Sequence, residues 1–298
     1  MSEAVSYLGE ASALACAVVW AFAVILFKRS GETVHPVGLN LFKSSLALVL
    51  TAPTIVLAGE TLAYPAPVGD YLLLLLSGAL GIGLADTFFF MSLNIIGAGY
   101  SAIVSCLYSP FIIGLSVIWL GERLGVVQVL GVVMIVSAVL SATRRGKASE
   151  LTGRALGIGM LWGVLGLAVM AIGIVMIKPV LNRSPLLWAN EVRLVGGCLT
   201  IAVGLVFHPG RARILRSVVA NQRWVYTLFG SLLGTYVAMI LWLAGMKFAQ
   251  VSVASALNQT SNIFVFAFGA LFLREPLTRL RVLGILIGVV GAYLVMFG

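Results

Sequence analysis

The sequence predicts an all-α integral membrane protein, with ten transmembrane helices in two inverted five-helix repeats, and three observations predict it. Of 298 residues, 61% are hydrophobic and only 10% charged, whereas ordinary soluble domains carry about 25% charged residues. Apolar blocks of about 20 residues, each long enough to cross about 30 Å of hydrocarbon as a helix, recur along the whole chain. The stretch Leu120-Gly121-Glu122-Arg123-Leu124, with Val129-Leu130-Gly131 after it, returns 153 residues later as Leu273-Arg274-Glu275-Pro276-Leu277 and Val282-Leu283-Gly284. Self-similarity at a fixed offset is the mark of an internal repeat.

The spans are read in order from these blocks. Spans 1 to 5 fall at 8–27, 36–58, 70–93, 98–120 and 124–142, and spans 6 to 10 at 155–178, 185–207, 223–246, 251–273 and 278–297. Between the two sets lies a linker with Arg144, Arg145, Lys147 and Arg154 among Gly and Ser, a boundary signal. The expected domains are a first repeat at 1–143, a basic linker at 144–154 and a second repeat at 155–298. The longest loop, 208–222, carries Arg211, Arg213 and Arg216 and leaves no room for a soluble domain. The first seven residues hold no Lys or Arg, so no cleaved targeting segment is expected.

The repeat reaches beyond its opening stretch. The offset of 153 carries Ala98 to Trp119 onto Val251 to Phe272 without a gap, and an offset of 150 lays Asn40 and Lys43 on Asn190 and Arg193. Five is an odd number of spans, so the second repeat enters the membrane from the side opposite the first. Inverted repeats around a midplane site are the recurrent architecture of secondary transporters, because two near-equivalent halves can exchange conformations and open the site to either side. Glycines at Gly78 and Gly81, at Gly159, Gly163 and Gly166, and at Gly284, Gly288 and Gly291 suit close backbone packing in lipid. Spans 5 and 10 are almost free of polar residues and are assigned to the periphery, as a candidate dimer interface.

With ten spans, two five-span repeats and a Leu-x-Glu-x-Leu signature around Glu122 and Glu275, the chain resembles the EamA family of the drug/metabolite transporter superfamily. The resemblance implies a transporter of the cell (cytoplasmic, inner) membrane, multi-pass, with a central cavity formed by spans 1–4 and 6–9. It also implies export of small metabolites such as amino acids, or of drugs.

Candidate site residues follow from where polar groups stand. An ionisable group within a span costs about 2.5–3.5 kcal/mol on insertion scales, so it faces a cavity or a partner. Lys43 and Arg193 lie about seven and eight residues inside their spans, and snorkelling to the interface is the plain alternative for each. Asp86, followed by Thr87, Phe88, Phe89 and Phe90, is the candidate proton-coupling group, against a structural ion pair with Lys43 or Arg193. Glu191 stands two residues from Arg193 and so faces away from it; a partner across the helices, such as Lys43, is expected. Ser101, Ser105, Tyr108 and Ser109 form a polar stripe on span 4, and Ser252, Ser255, Gln259 and Asn262 form one on span 9 with Asn258 at its edge. Such stripes either join helices or line a wet path. With Asn40 and Asn190 these residues make up the expected cavity. Trp20, Trp162, Tyr236 and Trp242 are read as ordinary interface aromatics. Glu122 and Glu275 are read as anchors at the positive N-termini of the helices that follow them.

Several classes are disfavoured. His35 and His208 are the only histidines and make no His-Glu-x-x-His pattern. Cys16, Cys106 and Cys198 lie in apolar blocks as core residues. No metal, cofactor or catalytic constellation is expected, which leaves a membrane-embedded enzyme acting on a lipid-linked substrate as the alternative of another class. A subunit that only forms interfaces is a third. Expected partners are a small-molecule substrate, the lipid bilayer and a proton as candidate coupling ion, with no nucleic acid, in a monomer or homodimer. The loops on one side carry 13 Lys or Arg against four on the side of both termini. The positive-inside rule therefore places the termini outside, opposite to the family's usual arrangement.

Overall fold

A computed structural model describes residues 3–120, 125–142, 152–181, 183–248 and 257–297. Among them the chain is helical, with no strand. Among the described residues, six stretches are long and apolar enough to cross a membrane: Leu8–Ser30, Pro36–Leu57, Val68–Ser105, Gly153–Val175, Leu186–Phe207 and Trp224–Trp242. Val126–Leu140 and Leu257–Leu273 are apolar but shorter. Large apolar side chains such as Val49, Leu72, Leu199 and Leu228 are exposed on the outside, as they are where lipid takes the place of water.

The first repeat begins with α1 (Glu3–Ser30), whose last turn holds Lys28 and Arg29, cations that suit the negative end of a helix. Next comes α2 (Pro36–Leu57). Its start is set by Pro36 in the first turn and by His35, whose Nδ1 accepts from Val37 N at 3.3 Å. The third expected span is then built from α3 (Val68–Gly78), a π-helical segment π1 (Ala79–Ala85) and the first part of α4 (Asp86–Ser105). Within α4 the chain turns at Gly97, whose φ of 78° is open to glycine and strained for other residues. The expected gap between spans 3 and 4 is thus a single-residue kink. Span 4, expected unbroken over 98–120, is interrupted at Cys106 and Leu107 and resumes as α5 (Tyr108–Leu120). Pro110 accounts for this, because it has no N–H for the carbonyl of Cys106. The repeat closes with α6 (Val126–Ala142).

The second repeat contains α7 (Gly153–Val175), capped by Thr152, a short α8 (Lys178–Leu181) and α9 (Leu186–Phe207). The 208–222 loop holds α10 (Arg211–Val219), a helix the sequence reading passed over. Then follow α11 (Trp224–Ser231), a second π-helical segment π2 (Leu232–Val237), α12 (Ala238–Phe248), α13 (Ser261–Leu273) and α14 (Arg279–Phe297). The offset of 153 carries Ala79, the first residue of π1, onto Leu232, the first of π2, and Tyr108, the first of α5, onto Ser261, the first of α13. Backbone irregularities therefore repeat along with the sequence.

In space the two halves interlock. α1 lies on α11, α12 and α13, and α2 on α9, α11 and π2, while α7 packs on π1, α4 and α5, and α9 on α3 and π1. Each half thus surrounds the first two spans of the other. Helix association in lipid relies on close packing rather than on water exclusion, and small residues supply the approach. A Cβ on Gly78 would lie 1.8 Å from Arg193 O, and one on Gly196 2.2 Å from Leu75 O. On the α7 side Gly159 meets Ile95 and Ile96, and Gly163 meets Ser92 and Val104. Spans 5 and 10, expected at the periphery as a candidate dimer interface, are α6 and α14, and they pack on one another within the chain, with Gly131 and Gly291 in backbone contact.

Candidate functional site

The site forms where α2, π1, α4 and α9 meet. The wider turns of π1 present the carbonyls of Ile82 and Gly83 sideways, and Asn40 of α2 answers them. Its Nδ2 donates to Ile82 O at 2.7 Å and Gly83 O at 3.1 Å and reaches Thr87 Oγ1 at 2.9 Å, while its Oδ1 accepts from Ser44 Oγ at 3.3 Å. Asn40 is fully buried. It braces an irregular backbone rather than facing a cavity, and its placement corrects the expectation that it lines one. A freed carbonyl in a membrane must be satisfied from within the protein.

One turn along α2, Lys43 Nζ donates to Asp86 Oδ2 at 2.6 Å, with side-chain exposures of 5% and 18%. The Phe90 ring lies below the ammonium at 5.8 Å. Of the two alternatives for Asp86, the ion pair with Lys43 is what the structure shows, and it excludes snorkelling for that lysine. The expected aromatic surround is only partial, because Phe88 packs on Trp162 and Phe89 on Trp20. Glu191 was expected to pair with Lys43. Instead Lys43 is taken by Asp86, and Glu191 Oε2 is buried without a hydrogen bond.

Arg193, the counterpart of Lys43, is arranged differently. Its Nε donates to Ser77 Oγ at 3.1 Å, and Ser77 Oγ in turn donates to Gly173 O at 2.6 Å. Among the described residues no carboxylate lies within 4 Å of it. Asp86 and Tyr108 are within its electrostatic reach. Arg193 and Asn190 line a cleft with Ile174, Leu186, Met239 and Trp242. Its volume of about 30 Å³ has room for a couple of waters. Asn190 is 4% exposed, and its Oδ1 has no hydrogen-bond partner.

The polar stripes of spans 4 and 9 meet at a second, smaller cleft of about 10 Å³ lined by Trp20, Phe89, Ser101, Ser105, Asn262 and Val265. Asn262 Nδ2 donates to Gln259 Oε1 at 3.0 Å and to Cys106 Sγ at 3.7 Å. Asn258 is half-buried in the same helical turn as Gln259. The Ser109 side chain and all of Glu122, Ser252 and Ser255 lie outside the described residues. The structure thus brings Lys43, Asp86, Arg193, Asn190 and Tyr108 into one region, and Ser105, Gln259 and Asn262 into another. Ser77, Met239 and Trp242 were missed as site residues. The offset of 153 from Asp86 leads straight to Met239, so that signal was present in the sequence.

Polar networks join the helices at both faces. On the basic face, Lys28 Nζ donates to Asn94 O at 2.7 Å, Arg29 Nη2 to Phe272 O at 3.1 Å, and Arg223 pairs with Glu32. Glu275 was expected at the N-terminus of α14. It is found instead at the Gly97 kink of the other repeat, accepting from Ala98 N at 2.7 Å and Gly99 N at 2.9 Å, with the Arg281 guanidinium 3.8 Å away. Amides freed by the kink form a stronger anion site than the following helix, which explains the correction. At the opposite face, Arg183 pairs with Asp70 at 2.5 Å, and the carboxylate raises the guanidinium's pKa further above its ordinary value. Tyr64 and Tyr71 enclose Trp188 there.

Interlocked halves with charges held at their seam define a multi-pass membrane transporter. The chain belongs to the EamA-like transporter family, whose profile matches it twice, over residues 7–144 and 157–297. It is 22% identical over 286 residues to an uncharacterized transporter of Archaeoglobus fulgidus, covering 95% of this chain and 96% of that one. It is also 27% identical over 184 residues to a WAT1-related chloroplastic protein of Arabidopsis thaliana. That match takes in 59% of this chain and 43% of the plant protein's length. A solved crystal structure shares the fold, with a TM-score of 0.67 at 16% identity over 99% of this chain and 96% of that one.

Proposed function

We propose that this chain is a secondary transporter that exports a small polar or amphipathic metabolite, such as an amino acid, by alternating access across the cytoplasmic membrane. In this reading it crosses the bilayer ten times as two inverted repeats. The observation that carries the proposal is the pair of pseudo-equivalent bases, Lys43 and Arg193, held inside the spans at the seam of the two halves. Ionisable groups at such depth mark substrate or ion pathways. Polar networks at both faces provide two closures, which a rocking of the halves can open in turn. Uptake of radiolabelled amino acids into proteoliposomes tests the proposal. Absence of flux for every metabolite and for cationic dyes, with folded protein in the bilayer, refutes it.

Asp86 is the proposed proton-coupling group, since it is the acid at the centre of the polar region. Loss of pH-gradient-driven transport in Asp86→Asn is expected, and intact coupling in that variant removes the role. A second reading, export of organic cations, is favoured by the buried, unpartnered Glu191 Oε2. Competition by a cationic dye against amino acid flux separates the two.

A further inference from the structure

The two repeats place their bases alike but answer them differently. Lys43 has Asp86 at 2.6 Å. The position equivalent to Asp86 in the second repeat, 153 residues on, is Met239, and it lines the cleft beside Arg193. Arg193 spends one of its five N–H donors on Ser77 Oγ. Among the described residues it makes no other hydrogen bond and has no carboxylate within 4 Å. One turn earlier on the same helix face stands Asn190, 4% exposed with Oδ1 unpartnered. A cation and an unsatisfied acceptor side by side in a membrane span are each costly. A ligand bringing an anion and a donor would answer both.

We propose that the cleft between α9 and α12 seats the charged head of the substrate, a carboxylate held by the Arg193 guanidinium with a donor group held by Asn190 Oδ1. This deepens the transporter reading and rests on it. The ligand class follows from the surroundings. One guanidinium balances one negative charge, and Lys43, the equivalent base of the other repeat, is committed to Asp86, so a monoanion fits and a dianionic phosphate does not. A planar carboxylate can take two parallel N–H donors from the guanidinium. Ile174, Leu186, Met239 and Trp242 are apolar and suit an aliphatic tail. At about 30 Å³ the cleft holds water alone in this conformation. Seating the head therefore widens the cleft and shifts α9, and because α9 packs on α2, α3 and π1 of the first repeat, occupancy would be felt by both halves.

Three related probes and one anion separate the chemistry: L-leucine, 4-methylpentanoate, 3-methylbutylamine and inorganic phosphate, each added to the purified full-length protein. Thermal unfolding reads binding, since a ligand stabilises according to its concentration and affinity. Leucine and the acid are expected to raise Tm, with leucine the stronger, and the amine and phosphate to leave it unchanged. Arg193→Gln is expected to weaken binding of the acid by at least about tenfold, with partial retention in Arg193→Lys. Met239→Asp, which installs the missing counter-ion, is expected to weaken it similarly while leaving the protein folded. The proposal is overturned if the amine binds as well as the acid, if phosphate alone binds, or if neither carboxylate shifts Tm at about 10 mM. It is equally overturned if folded Met239→Asp and Arg193→Gln bind the acid like the wild type. Carboxylate binding without flux in proteoliposomes would instead strike at the transporter reading alone.

Discussion

The polar clusters of the two repeats share a plan and differ in their bookkeeping of charge. In the first, Asn40 braces π1 through two carbonyls and reaches Thr87 of α4, and Lys43 is neutralised by Asp86. In the second, Asn190 Oδ1 makes no hydrogen bond and Arg193 has Ser77 in place of an acid. The backbone plan is inherited by both halves, whereas side-chain satisfaction is complete in only one. A satisfied cluster rigidifies, and an unsatisfied one keeps interaction free energy available for something else. Under the proposals above, the first cluster holds the fold and positions Asp86 for the proton, and the second is the place where a substrate acts.

The largest test of this contrast is the Lys43–Asp86 pair. Removing one member, as in Lys43→Met, leaves a buried charge and is expected to cost about 3–5 kcal/mol, while the double change Lys43→Met/Asp86→Leu recovers most of it. Chemical unfolding in detergent micelles measures both; equal losses in the single and double variants would mean that the pair is not the unit described. Next in size is a comparison of the two asparagines. Asn40→Ala strips the Ile82 and Gly83 carbonyls of their donor and is expected to cost about 2–4 kcal/mol, whereas Asn190→Ala loses no hydrogen bond from Oδ1 and is expected to cost under about 1 kcal/mol. Similar losses at both positions would erase the contrast.

A smaller effect is expected on the basic face. Glu275→Gln keeps the shape but not the charge at the Ala98 and Gly99 amides, a capping change of about 0.5–2 kcal/mol. Hydrogen exchange at those two amides should rise with it, and unchanged protection would show that the amides are held by other means. The smallest effect is one of pH. Burial, and then the neighbouring His208, lowers the His35 pKa below its ordinary 6.5, so the unfolded chain takes up a proton before the folded one does. Stability from this group is complete above about 6.5 and is lost as pH falls from there through the folded pKa. His35→Asn keeps an acceptor for the α2 cap and should flatten that part of the Tm profile; an unaltered profile would assign the dependence elsewhere.

Much of this architecture was legible in the chain itself. Apolar block length marked the helices, and the repeated Leu-Gly-Glu-Arg-Leu stretch marked the halves, because both are local patterns. That Lys43, Asp86 and Arg193 fall within apolar helical stretches was legible for the same reason. Their partners were not. Asp86 could have met either base, and only the interlock of α2, α4 and α9 selects Lys43 and leaves Glu191 Oε2 alone. Glu275 was expected to cap its own neighbour, yet the kink at Gly97, far away in sequence, offers two free amides and takes it. The breaks at Cys106 and Leu107 in span 4, and at Thr260 between the helical residues 257–259 and α13 in span 9, were not legible, since hydropathy is blind to backbone hydrogen bonding.

The sequence alone determined that this chain is a membrane transporter of the EamA-like family built from a duplicated unit, because length, hydropathy and repetition are properties of the string. Tertiary structure decided which charges cancel and which stay open. That choice depends on distances across helices some tens to more than a hundred residues apart, where a few ångströms separate an ion pair from an unanswered cation. Met239 beside Arg193, in the place where the other repeat has Asp86, is a difference readable in the string, but its consequence exists only once the two halves are folded around each other.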